Sequence, residues 1–123
     1  MISELKNKIL KDIIVEKRDF ITRENDIIKF ITDDSEVYFM THFQDCCEDV
    51  CIDDINGDFK DLLNTPILVA EERTNGDETE YGSETWTFYE LRTIKGSVNI
   101  RWYGSSNGYY SESVNVYKET NYE

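Results

Sequence analysis

The stretch Thr85-Trp-Thr-Phe-Tyr-Glu-Leu-Arg-Thr-Ile-Lys-Gly-Ser-Val-Asn-Ile-Arg-Trp-Tyr103 decides the fold class. In its second half Val98, Ile100 and Trp102 alternate with Asn99 and Arg101, the period of two that puts apolar side chains on one face of a strand. Its first half, residues 85–94, is β-branched and aromatic throughout, and Lys95-Gly96 predicts a hairpin turn between the two strands. Working outward, further strands are predicted at residues 26–32, 36–43, 49–55, 67–73 and 113–118. Residues 37–43 and 85–94 are apolar on both faces, which suits central positions covered on both sides. Asn56-Gly57, Asn75-Gly76 and Asn107-Gly108 supply residue types that accept the positive φ of tight hairpin turns.

Helical signals are sparse. Asp58 is a fair N-cap, Phe59, Leu62 and Leu63 form an apolar side, and Pro66 stops the run, so residues 58–64 predict one short helix. In the first 20 residues Ile2, Leu5, Ile9 and Ile13 fit a helical stripe, whereas Ile9, Lys11, Ile13 and Val15 fit one strand face. A short helical start passing into a strand near Lys8 accommodates both. The expected fold is mainly β: a small curved antiparallel sheet or barrel with one or two short helices, forming a single β-rich domain over residues 1–123.

Composition narrows the function classes. The 123 residues suit one domain with one core. Eight Tyr, six Phe and two Trp are too many aromatics for a disordered chain. Twenty-six acidic against thirteen basic residues give a formal charge of −13, which repels nucleic-acid phosphates and attracts basic surfaces. Direct nucleic-acid binding is therefore not expected, and a protein partner with a basic groove is. The sequence lacks an apolar run of membrane-spanning length and the apolar core of a signal peptide, so no membrane role is expected and the expected compartment is a cytosol with reduced cysteines.

The only His and all three Cys fall in one window, His42-Phe-Gln-Asp-Cys46-Cys47-Glu-Asp-Val-Cys51. Imidazole and thiolate together suit tetrahedral Zn²⁺, although H-x₃-C-C-x₃-C is not a standard finger spacing. A loop between two strands would let His42 meet Cys46 and Cys47 as the chain reverses. Cys51 shares a strand face with Asp49 and Asp53, opposite Val50 and Ile52. The alternative is that the cysteines are small buried apolar residues and His42 is an ordinary hydrogen-bonded side chain.

Two acidic stretches stand out: one running from Asp45 to Asp61 with Asp53, Asp54, Asp58 and Asp61, the other from Glu71 to Glu84. They read either as solvated surface or as contacts for a Lys/Arg-rich channel. Tyr109 and Tyr110 tip a polar turn as candidate interface anchors, or fold back on Trp102. Enzyme signatures are missing. The chain has no Gly-rich phosphate loop and no nucleophile elbow, and the sole His lies in the cysteine window, so a metal-activated water ranks third.

The segments His42-Phe-Gln-Asp-Cys-Cys-Glu48, Ile55-Asn-Gly-Asp-Phe-Lys-Asp-Leu-Leu63 and Pro66-Ile-Leu-Val-Ala-Glu-Glu72 resemble an uncharacterised domain of phage and prophage proteins. So do Thr85-Trp-Thr-Phe-Tyr89, Arg101-Trp-Tyr-Gly104 and Ser106-Asn-Gly-Tyr-Tyr-Ser-Glu112. Size, acidity and these motifs also look like the small type II-A anti-CRISPR proteins, phage-encoded inhibitors of the RNA-guided DNA nuclease. The resemblance implies a structural zinc, with His42, Cys46 and Cys47 on the shared motif. Cys51 lies outside it, so Asp45, Glu48 or another carboxylate stands beside Cys51 as fourth ligand. It further implies a non-enzymatic inhibitor in the bacterial host cytoplasm that binds the guide-loaded effector and reduces target-DNA binding. The alternative is a zinc-stabilised accessory protein of a phage or mobile element with a different protein partner.

Overall fold

A computed structural model describes residues 1–17 and 25–119. Eight strands follow one another: β1 (Leu10–Glu16), β2 (Ile27–Thr32), β3 (Val37–Thr41), β4 (Asp49–Asn56), β5 (Val69–Thr79), β6 (Gly82–Thr93), β7 (Gly96–Ser106) and β8 (Asn115–Lys118). The helical elements among the described residues are two single 3-10 turns, Ile2–Leu5 and Phe59–Leu62. The fold is mainly β, as expected. The strands divide into two antiparallel four-stranded sheets, ordered β1-β2-β3-β8 and β4-β7-β6-β5, rather than forming one curved sheet or a barrel. Each sheet presents one apolar face, and two such faces bury each other.

The inner faces follow from the alternation in the sequence. Ile28 and Phe30 of β2 with Tyr38 and Met40 of β3 meet Val50, Ile52, Leu91, Val98, Ile100 and Trp102 of the second sheet, all buried. Trp102 is fully enclosed, and its indole Nε1–H donates to the Met40 sulfur at 3.3 Å, a direct link between the sheets. A second link lies near the β4 bulge: the Ile52 amide donates to the buried Asp26 carboxylate at 2.8 Å.

Every expected strand coincides with an observed one. β3 lies between β2 and β8, and β6 between β7 and β5, so both are central in their sheets. The expectation that β6 is covered on both faces is corrected: Trp86 and Phe88 are only half-buried, and no third layer lies over them among the described residues. Asn75-Gly76 is corrected too. It runs through the middle of β5 opposite Trp86 and Thr85, because pairing continues without interruption from Val69↔Arg92 to Thr79↔Gly82. A turn at residue 75 would forfeit the outer part of that ladder, so the reversal falls at Glu80-Tyr81 instead.

The expected helix over residues 58–64 shrinks to one turn. Asp58 caps it as predicted, accepting from the Lys60 amide at 2.9 Å. The Asn64 amide, which would continue the helix, donates instead to the Leu10 carbonyl at 2.8 Å and ties the segment to β1. At the N-terminus a 3-10 turn gives way to β1 at Leu10, as the mixed pattern suggested. Residues 18–20 of that ambiguous stretch lie outside the described residues.

The segment after β7 returns across its own strand. A Cβ on Gly104 would lie 2.9 Å from Glu112 Cβ and 3.0 Å from Val50 Cγ2, so only glycine admits this crossing. It delivers the buried Glu112 carboxylate to β6, where the Ser83 and Thr85 hydroxyls each donate to it at 2.7 Å. Burial pushes the Glu112 carboxyl up, but the hydroxyls of Ser106, Ser83 and Thr85 outweigh it and hold it below the ordinary carboxylate value. A depressed pKa contributes stability that is present above the unfolded carboxylate value and is lost as pH falls through the folded one. Glu112→Ala is therefore expected to cost about 2 kcal/mol at neutral pH and to lose less stability than wild type on acidification below about pH 4, measured by urea unfolding across pH. Equal pH profiles for the two proteins would show that Glu112 does not carry this term.

Candidate functional site

His42 follows β3 directly and is buried at the edge of the sandwich. Its carbonyl accepts from Asn25 Nδ2 at 2.9 Å, and the preceding Thr41 hydroxyl donates to the Asp26 carbonyl at 2.8 Å. The ring orientation is set by Nδ1, which lies 2.7 Å from the Ser113 carbonyl. A carbonyl only accepts, so Nδ1 carries the proton, and in the neutral ring Nε2 presents its lone pair.

That lone pair faces Glu48. Nε2 lies 3.5 Å from Glu48 Oε1, and the two side chains are 2% and 0% exposed. Glu48 Oε1 accepts from the amides of Asp45 at 2.7 Å and Cys46 at 3.1 Å, so the loop wraps the carboxylate. Gln44 Nε2 closes the loop from outside, donating to the Glu48 carbonyl at 2.7 Å. Burial pushes the Glu48 carboxyl up, but the amides of Asp45 and Cys46 donate to it and leave it below the ordinary value. Two atoms of the pair, His42 Nε2 and Glu48 Oε2, are buried without a hydrogen-bond partner. Unsatisfied buried polar atoms are uncommon, and here two adjoining side chains carry one each, an imidazole nitrogen and a carboxylate oxygen, the atom types that bind an electron-pair acceptor.

The cysteines stand differently from expectation. Cys46 and Cys47, expected as reduced thiols, are joined to each other in this structure. Adjacency in the chain keeps their Cα atoms 3.7 Å apart, so the sulfurs are within reach whatever the rest of the fold does. Both are exposed on the loop that covers Glu48. Cys51 is not in the disulfide. It lies opposite Tyr103 on β4, on the face away from Val50 and Ile52, as the strand parity predicted, and so apart from His42 in the sandwich edge. Among the described residues no three His, Cys, Asp or Glu side chains converge as a metal-binding group. The structure thus brings together His42 and Glu48, with Cys46 and Cys47 alongside in the chain, and leaves Cys51 on the other face.

The expected partner surface also divides. Asp53 pairs with Arg101, Oδ2 to Nε at 2.6 Å, and Asp54 is exposed next to it. Asp58 is the cap of the 3-10 turn, and half-buried Asp61 lies under Gly96 with its carbonyl accepting from Thr93. The four aspartates therefore do not make one patch. Tyr109 is 89% exposed and does not fold back on Trp102, while Tyr110 is half-buried. Trp86, Phe88 and Tyr103, not singled out from the sequence, cluster on the uncovered face of the second sheet, with Trp86 and Tyr103 ring centroids 4.6 Å apart. The signal was present: in β6, Trp86 and Phe88 share the parity of Glu90 and Arg92, the polar face of the strand.

Glu48→Ala is expected to lower stability by about 2 kcal/mol, since it strips the amides of Asp45 and Cys46 of a buried ionised acceptor, and Cys51→Ser is expected to change it little. Unfolded, unreduced protein should titrate one thiol and reduced protein three. Glu48→Ala melting like wild type, or three thiols before reduction, would contradict this description of the loop.

No helix among the described residues is long and apolar enough to cross a membrane. Comparison with curated proteins gave no match, and comparison with solved structures gave none. A family model described as Domain of unknown function (DUF7448) matches residues 3–116, from the first 3-10 turn into the first half of β8 and spanning both sheets and the His42–Glu48 loop, and the chain belongs to that family.

Proposed function

We propose that this protein is an inhibitory binding protein of the type II-A anti-CRISPR kind, acting without catalysis in the bacterial host cytoplasm. It binds the protein part of the guide-loaded nuclease and lowers its binding of target DNA. The observation that carries the proposal is the formal charge of −13 together with a run of exposed carboxylates. Glu71, Glu72, Asp77, Glu78 and Glu80, on the edge strand β5 and its turn, are all exposed, with Arg73 as the only basic residue among them. Such a field is repelled by guide and target phosphates and attracted to Lys/Arg surfaces. In RNA-guided nucleases the positively charged channel that awaits the heteroduplex is the natural counterpart. The motif resemblance to phage and anti-CRISPR proteins supports the same partner.

The expected result is that catalytically dead, guide-loaded nuclease loses target binding in a gel shift when the inhibitor is added first, and is protected when target is bound first. Association should slow as salt rises, because at 0.15 M the fields reach only about 8 Å. Full target binding in excess inhibitor, with cleavage still blocked, would contradict competition for this surface.

A structural zinc belongs to the same proposal. The orphaned Nε2 of His42 and Oε2 of Glu48 support it, as His Nδ1–H donating to a carbonyl is the usual support for a metal-ligating ring. Cys46 and Cys47 would supply thiolates once reduced, and Glu48 takes the place first considered for Cys51. Bound zinc would add folding free energy to the loop and do no chemistry of its own. Reduced protein should then carry about one zinc per chain, and His42→Ala or Cys46→Ala should release it and lower Tm sharply. Reduced, metal-free protein that melts like the zinc-treated sample would remove zinc from the proposal. Zinc binding without nuclease binding would favour the alternative of an accessory protein of a mobile element with another protein partner.

A further inference from the structure

The uncovered face of the second sheet is built differently from the rest of the surface. Strand parity places Tyr103, Trp86 and Phe88 side by side there, and two guanidiniums lie over the rings: Arg101 at 5.5 Å from the Trp86 centroid and Arg73 at 6.0 Å from that of Phe88. Trp, Tyr and Arg on an open surface are the residue types that dominate binding energy at protein interfaces. Beside them a recess of about 150 Å³ crosses the sheet next to Phe88, with Asp54 on edge strand β4 and Glu71 on edge strand β5. Three strand spacings separate those edges, roughly 14 Å. The charges are unevenly committed. Arg101 is held by Asp53 and Glu90 by Arg92, whereas the carboxylates of Asp54 and Glu71 have no hydrogen bond or ion pair to another described residue.

We infer that this face is the docking surface for a basic protein segment, laid across the sheet with Lys or Arg side chains toward Asp54 and Glu71 and an apolar or aromatic contact on Phe88 and Trp86. The inference rests on the proposed binding of a basic protein surface and names the surface that does it. Charge complementarity selects the occupant: carboxylates outnumber guanidiniums in the recess, so a phosphate backbone is repelled while a cationic chain is drawn to both ends. Arg101 and Arg73 lie within cation–π reach of Trp86 and Phe88, which limits the freedom the rings lose when the partner arrives.

The test compares wild type with Phe88→Ala, with the Asp54→Asn/Glu71→Gln pair, and with Ile94→Ala as an exposed apolar residue elsewhere, after circular dichroism and melting show each folded. Binding to guide-loaded nuclease should weaken about tenfold or more for Phe88→Ala, several-fold at low salt only for the charge pair, and not at all for Ile94→Ala. The charge pair removes no described partner, so it keeps the question open to test if Phe88→Ala fails to fold. Wild type binding with the face variants binding equally well overturns this inference and leaves the proposed function standing. Wild type that does not bind the nuclease overturns the proposed function, and the face is then judged with an octa-arginine peptide read by tryptophan fluorescence. Weaker binding by the charge pair and quenching lost in Phe88→Ala would uphold the surface, and equal binding by all variants would overturn it. Binding of a single-stranded oligonucleotide that is lost in Phe88→Ala would also overturn it, in favour of a base-stacking platform.

Discussion

The burial of Trp102 against Met40 is the contact on which the two-sheet arrangement rests. Neither sheet can keep its apolar face in water, and the largest fully buried side chain sits where the two faces meet. An indole buried in an apolar layer needs a partner for its N–H, and the Met40 thioether is a weak but adaptable acceptor that fills the space around the ring. The register that turns Trp102 inward turns Arg101 and Tyr103 outward. One strand of alternating residues therefore sets both the core and the uncovered aromatic face.

Two buried carboxylates do the corresponding work for the loops. Glu48 organises the β3–β4 loop by accepting from two of its amides, and Glu112 ties the segment after β7 to β6 through two hydroxyls. Each keeps its charge under burial because hydrogen bonds replace the lost hydration. The motif residues Trp102, Gly104 and Glu112 thus have a joint structural explanation: a core anchor, a gap for the returning chain and the group that fastens it. Tyr109 of the same motif projects into solvent and has no such role.

The acidic surface has two separable meanings. Charges along the edge strand β5 discourage pairing of that edge with other chains, which any exposed edge requires. Asp54 and Glu71 lie on the edge strands β4 and β5 and also beside the aromatic cluster of the open face, so under the proposed docking they form the polar rim around an aromatic and arginine-rich centre.

The strands were legible from the sequence because the alternation of apolar and polar residues is a local property, readable wherever β-branched and aromatic residues recur at every second position. The hairpin between residues 85 and 103, the Asp58 cap, the central positions of β3 and β6, and the parity of Cys51 all came from neighbours in the chain. Long-range pairing was not legible. Asn75-Gly76 looks like a turn until the length of β6 opposite it is known, and residues 58–64 look helical until Leu10 takes the Asn64 amide. The candidate site divides in the same way. Composition determined that His42, Cys46, Cys47 and Cys51 occupy one window and that the chain is strongly acidic. Only the tertiary structure decided that Ser113, 71 residues away from His42 in sequence, fixes the imidazole, that Glu48 faces it, and that Cys51 points to another surface. Side chains distant in sequence meet through sheet packing, which depends on every strand at once.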